Sequence, residues 1–166
     1  MEKKGYMANC ETLMEQVTRG AFLTVRSGGE VNTMTIGWAT IGVVWAKKVL
    51  MVAVRNSRHT FQLIEKTDNF TVSIPADSNC KEALKFCGTK SGKDFDKFKE
   101  CRLGQKPALE VASPVIDIPG THYECRIIYK TAMDSALLDP ALISLYPQND
   151  YHTLYFGEVV ECYELK

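Results

Sequence analysis

Short runs dominated by apolar and β-branched residues recur along this chain, separated by glycine, proline and polar punctuation. Residues 21–26 (AFLTVR) read as a strand, and Ser27-Gly28-Gly29-Glu30 as a turn in which two glycines can take positive φ. Residues 31–39 read as the returning strand of a hairpin. Residues 48–55 (KVLMVAVR) are almost continuously apolar, the pattern of a strand buried on both faces. Residues 60–66 (TFQLIEK) predict a short amphipathic helix with Phe61, Leu63 and Ile64 inward. Residues 69–74 (NFTVSI) alternate and are closed by Pro75, which predicts another strand. Asn79 is a fair N-cap for a second short helix over residues 80–87. Residues 88–104 are polar and charged without a period, a long loop or a loop with a short helix. Residues 113–118 and 122–133 read as strands. A helical turn is expected near residues 140–145, and residues 151–164 read as a closing strand in which Gly157 predicts a bulge or bend.

The sum is six or seven strands with few, short helices. Hairpin signals and the lack of a long helix between strands favour a mainly β fold, an antiparallel barrel, over a parallel doubly wound sheet. Gly28, Gly29, Gly42 and Gly157 fit corners of a small barrel. No internal repeat, low-complexity tract or linker divides the chain, so residues 1–166 are read as a single domain.

Composition changes this picture little. The chain is 45% hydrophobic and 24% charged, and its 20 Lys and Arg balance its 20 Asp and Glu. A formal charge of zero argues against a broad polyanion-binding face, so any basic site is local and nucleic acid is not an expected partner. No apolar run approaches the roughly 20 residues that span a bilayer, and no membrane role is expected. Lys3 and Lys4 are not followed by an apolar stretch of the secretory kind, so the expected compartment is the cytoplasm.

The densest candidate chemistry is Arg55-Asn56-Ser57-Arg58-His59-Thr60, at the end of a predicted strand. Guanidiniums give planar, charge-assisted donors, and short hydroxyls add hydrogen bonds, a combination suited to a phosphate. A helix beginning at Ser57 would aim free N–H groups at the same anion. The plainer reading is a solvated strand end with Ser57 as N-cap. No G-x-G-x-x-G or P-loop pattern is present.

Six cysteines, at 10, 80, 87, 101, 125 and 162, show neither a C-x-x-C pair nor zinc spacing, and read as free thiols in a reducing compartment. Cys80 and Cys87 lie seven apart, one face of a helix, which leaves a redox pair as a lesser reading. His59, His122 and His152 do not cluster in sequence, and no metal site is expected.

Four segments, in order, resemble the flavin reductase-like family, the FMN-binding split barrel that includes flavoredoxin. They are Asn32-Thr33-Met34-Thr35-Ile36-Gly37-Trp38, Arg55-Asn56-Ser57-Arg58-His59-Thr60, residues 88–97 (GTKSGKDFDK), and Asn149-Asp150-Tyr151-His152 running into Gly157-Glu158-Val159. The resemblance implies a six-stranded antiparallel split barrel, a homodimer, and one non-covalent FMN per subunit near the dimer seam. By that likeness Asn32, Thr33, Met34 and Thr35 would line the isoalloxazine. Arg55, Asn56, Ser57, Arg58 and Thr60 would form the phosphate turn, Ser91 and Lys97 a cover, with Lys97 reaching toward the phosphate, and His152 would sit near the ring or the seam. The chain carries Lys48 and Asn56 where proline is common in relatives, and Lys93 where arginine is common.

The activity so implied is an NAD(P)H-dependent flavin reductase, with FMN carrying the chemistry and no catalytic side chain required. Trp38 and Trp45 are candidates for stacking on the flavin or nicotinamide, or equally for core or interface positions. The neighbouring alternative is an electron carrier that holds FMN and is reduced by a redox partner protein. A remote alternative is a flavin-free barrel that stacks single-stranded nucleic acid on aromatics.

Overall fold

The hairpin at the centre of the sequence reading forms in the structure, a computed structural model that describes residues 1–8 and 10–166. In chain order the elements are β1 (Glu2–Lys3), α1 (Cys10–Arg19), β2 (Ala21–Ser27), β3 (Glu30–Ile36), β4 (Ala39–Val44), β5 (Lys47–Arg55), α2 (His59–Ile64), β6 (Asn69–Pro75), α3 (Lys81–Thr89), α4 (Lys97–Glu100), β7 (Gln105–Lys106), β8 (Val115–Ile116), β9 (Gly120–Ala132) and β10 (His152–Leu165). Short 3-10 turns cover Ser78–Cys80, Ser135–Leu137 and Pro140–Leu145.

The pairings are antiparallel throughout, in the order β3-β2-β6-β9-β10-β5-β4, with β1 added on β10 and β7 paired only with β8. The two edge strands of this path, β3 and β4, are consecutive in the chain and joined only by Gly37 and Trp38. The sheet must therefore curl until its ends meet, and the seam where β3 fails to pair is the split of the barrel. Mainly β and antiparallel is what the sequence pattern predicts. The sheet has eight strands rather than six, because β1 is a short addition and a separate β4 follows the Gly37-Trp38 break, where the pattern suggested one strand running to residue 39.

One apolar cluster fills the barrel, built from inward residues such as Leu23, Leu50, Val52, Phe70, Val72 and Tyr155, none with measurable exposure. Gly157 on β10 sits at a register shift in the pairing with β9, and a Cβ there would stand 2.6 Å from Phe70 Cζ and 2.7 Å from Cys125 Cβ. The expected bulge is present, and it makes room for the core.

Three local expectations are corrected. The second short helix begins at Lys81, after a 3-10 turn capped by the Asp77 carboxylate rather than by Asn79, because Asp77 accepts the Asn79 N–H. Cys80 therefore lies ahead of the helix, and Cys87 is buried beside Cys101 instead. The strand expected over residues 113–118 shrinks to Val115–Ile116.

Candidate functional site

β3 is a free edge, and elements that follow α2 pack along it. Lys97, 4% exposed, donates from Nζ to the carbonyls of Thr33 (3.0 Å) and Cys87 (2.9 Å). Asp96 caps α4 by accepting from the N–H groups of Phe98 and Lys99, which fixes the turn that carries Lys97. Thr35 Oγ1 donates to Leu84 O on α3, and Gly88 lets that helix approach until a Cβ would be 3.2 Å from Thr35 Cβ. Asn32, also buried, donates from Nδ2 to Thr60 Oγ1 at 2.7 Å, tying β3 to the first turn of α2. Burial holds the Lys97 ammonium below the ordinary lysine range, against the favourable pull of Cys87, and the Arg58 charge pushes it the same way.

Two cavities lie along this edge. One, of about 190 Å³, is lined by Met34 to Trp38, by Ala53 and Arg55 of β5, by Arg58 and by His152. The other, of about 420 Å³, begins at Gly29, Val31 and Asn32 and is closed by residues 92–98 and Gln105. Thr33 and the Lys97 ammonium stand between the two runs.

The basic cluster after β5 divides its work. Arg55 faces His152 across the β5–β10 pairing and donates to the carbonyls of Asp150 (3.2 Å) and Leu145 (3.0 Å), with its guanidinium 4.9 Å over the Tyr146 ring. It pins the 145–150 segment. Asn56 accepts from Thr153 Oγ1 at 2.9 Å and lines neither cavity. Ser57 was expected to cap α2; instead the helix begins at His59, and both the N–H and Oγ of Ser57 donate to the Asp150 carboxylate, at 3.2 and 2.6 Å. Arg58 lines the smaller cavity and, among the described residues, its guanidinium has neither a hydrogen bond nor an ion pair. His59 pairs through Nε2 with Glu30 at 2.5 Å, while its buried Nδ1 has no partner. Gly92 packs so tightly on Asn32 and His59 that a Cβ would collide with both side chains.

At the other end of the smaller cavity, Trp38 is 45% exposed and its ring lies 4.6 Å from that of His152. His152 Nδ1 meets the Tyr146 hydroxyl at 2.9 Å. Burial, with Arg55 nearby, pushes the His152 pKa down to about 4, so the ring is neutral at pH 7.

Of the residues named from sequence, Asn32, Met34, Thr35, Arg55, Arg58, Lys97 and His152 line one cavity or the other. Thr33 is fully buried on the face opposite the barrel core, where its hydroxyl donates to Leu23 O, and it contributes only backbone to the edge. Thr60 is buried behind Asn32. Ser91 lines neither cavity and accepts from the Lys93 N–H. Lys97 reaches backbone carbonyls with two of its three protons rather than standing out as a lid cation. Tyr146, Asp150 and Phe95 belong to the site without having been singled out. Asp150 sits inside the N-D-Y-H segment, whereas nothing near Tyr146 in sequence marks it.

The six thiols are free. Burial pushes Cys87 up to about 12, which makes it a poor thiolate, and Cys80 is raised too. Among the described residues no group of three or more His, Cys, Asp or Glu is placed to hold a metal, and no helix is long and apolar enough to cross a membrane.

The family model described as the flavin reductase like domain matches residues 14–166. An uncharacterized protein of Archaeoglobus fulgidus is 26% identical over 139 residues, 84% of this chain and 68% of its own length. Among solved structures, a flavoredoxin from Methanosarcina acetivorans superposes with a TM-score of 0.68 at 23% identity, over 89% of this chain and 68% of the other. An NADH:FAD oxidoreductase of Streptomyces globisporus gives 0.68 at 20% identity, over 88% and 75%.

Proposed function

The chain belongs to the flavin reductase like family, and from that premise we propose that it is a flavin-binding oxidoreductase. It holds FMN non-covalently along the free edge of β3 and receives electrons from NAD(P)H. The observation that carries this reading is the guanidinium of Arg58, which lines the cavity between β3 and His152 and, among the described residues, has neither a hydrogen bond nor an ion pair. A half-buried guanidinium with free donors is suited to an anion, to which its hydrogen bonds are charge-assisted and planar. The residues fit the cofactor: a cation for its phosphate, outward backbone groups of an edge strand for its pyrimidine rim, and an aromatic pair at the other end.

Bound flavin supplies a hydride-accepting N5 and a ring edge toward which negative charge develops. The protein's part is to bind and orient. Arg58 meets the phosphate. Arg55 and Asp150 hold the 145–150 segment so that Tyr146 and the neutral His152 stay in place. Lys97 anchors the Thr33 carbonyl, which keeps the alternating outward groups of Thr33 and Thr35 in register for the ring. Trp38 at the rim leaves one side open to a second planar substrate.

The reductase reading is tested by loading the chain with FMN and adding NADH or NADPH without oxygen. Bleaching of the flavin bands is the expected result. Bands that persist would contradict direct reduction and give the electrons to a partner protein. The chain is also proposed to form a homodimer, because Trp38, Val43, Trp45, Tyr129 and Leu137 are each 45–85% exposed. Sedimentation at about 37 kDa, twice the 18.6 kDa chain, is expected; a monomer at micromolar concentration would refute it.

A further inference from the structure

A third cavity, of about 490 Å³, shares no residue with the two along the β3 edge. Its wall comes from the last turn of α1, the end of β6 with the turn that follows, and the first turn of α3. Its volume falls within the roughly 300–1,000 Å³ of small-molecule sites. Polar groups make most of the wall in the two β3 cavities, whereas apolar groups make most of it here. Pro75, Gly20 and Leu84 supply much of that apolar surface. Gly20 has φ 119°, and a Cβ there would stand 3.0 Å from Thr35 Cγ2 and 3.3 Å from Leu84 Cδ2. Packed groups therefore separate this cavity from the one beside His152, which Thr35 lines.

Two cations line the cavity, Arg19 from α1 and Lys81 from α3. Among the described residues neither side chain has a hydrogen bond or an ion pair. One carboxylate, Asp77, lines it as well, but its two oxygens already accept from Asn79, from the N–H at 2.9 Å and from Nδ2 at 2.7 Å. The wall is thus left with one net positive charge and two cations with donors to offer. A guanidinium grips a carboxylate through two parallel donors, and an ammonium adds a point charge. A phosphate dianion would set a second negative charge against Asp77 and leave Pro75 and Leu84 uncovered. A single carboxylate on an apolar body satisfies both the charge and the wall.

We propose that this cavity is a second ligand site, which takes an organic monocarboxylate. The charged end lies between Arg19 and Lys81, and the apolar body covers Pro75 and Leu84. The site stands apart from the seam of the barrel and does not depend on the flavin reading.

Calorimetric titration of the full-length chain with naphthoate tests it, with naphthamide and inorganic phosphate as comparisons. Naphthoate is expected to bind once per chain, and about tenfold or more tightly than either the uncharged amide or phosphate, the value of one charge-assisted hydrogen bond. Arg19→Gln and Lys81→Gln should each weaken it by about tenfold. Neither side chain has a partner to lose, so both variants should melt where the wild type does. Excess FMN should not displace the naphthoate. Absence of naphthoate binding at millimolar concentration would overturn the proposal, as would an affinity that survives both substitutions. Equal binding of the amide would make the site merely apolar, and tighter binding of phosphate would make it a site for inorganic anions; either result refutes the carboxylate assignment. Displacement by FMN would put the naphthoate in the seam of the barrel, and the proposal would be wrong.

Discussion

Arg55 and Arg58 stand three positions apart in one basic cluster and do unlike things. Arg55 is consumed by two backbone carbonyls and an aromatic face. Arg58 is the residue left with donors to offer. Composition and spacing point to both equally, because which guanidinium is free depends on where residues 145–150 fold back, some 90 positions later. Ser57 shows the same limit: its hydroxyl is a good local cap, and the Asp150 carboxylate outcompetes that use. The histidines also separate only in three dimensions. His122 is fully buried between Ser73 Oγ (3.0 Å) and Ile118 O (3.1 Å), and burial pushes its pKa down to about 4 from the usual 6.5. The folded state thus binds fewer protons than the unfolded chain below pH 6.5. Stability is complete above that pH, falls as pH drops toward 4, and loses nothing more from this group below it. For His122 alone the loss between pH 7 and pH 5 is about 2 kcal/mol, and His152 acts in the same direction. Guanidinium unfolding midpoints at the two pH values check this; a midpoint unchanged at pH 5 would show that His122 titrates normally.

At the scale of elements, the strands legible in the sequence were β2 and β3 of the first hairpin, β5, β6, β9 and β10. β4 was hidden for a local reason. Its hairpin to β5 turns on Trp45 and Ala46, with φ of 52° and 58°. A tight hairpin with both central residues left-handed is normally marked by Asn-Gly, and Trp-Ala gives no such mark. α1 does carry an amphipathic period, with Leu13 and Val17 buried and Met14 packed against the core, but it is short and mostly polar and was not read as a helix. Gly157 was legible as a bulge because a glycine inside an apolar strand has few other uses. The loop over residues 88–104 was legible as a long polar excursion. Its content was not, since α4 is only four residues long and its role, placing Lys97 on the carbonyls of Thr33 and Cys87, depends on distant elements.

For the whole molecule, the decisive fact is that the chain's consecutive strands β3 and β4 are the two ends of one curled sheet. That topology leaves β3 unpaired along a seam, and the seam gathers residues from the turn after β5, the 92–98 segment and the start of β10. The first three motif segments that resemble the family and residues 149–152 of the fourth come together there, with Ser91, Asn56 and Thr60 as supports behind the cavity walls, whereas Gly157-Glu158-Val159 lies farther along β10 against β5. The central claim is that this seam binds flavin with Arg58 on the phosphate. It is tested most directly by titrating FMN into flavin-stripped wild-type chain and into Arg58→Ala. The account predicts that the wild type binds FMN and that the variant binds it roughly tenfold to a hundredfold more weakly, the loss of one charged hydrogen bond. Equal FMN affinity in the two proteins would contradict it.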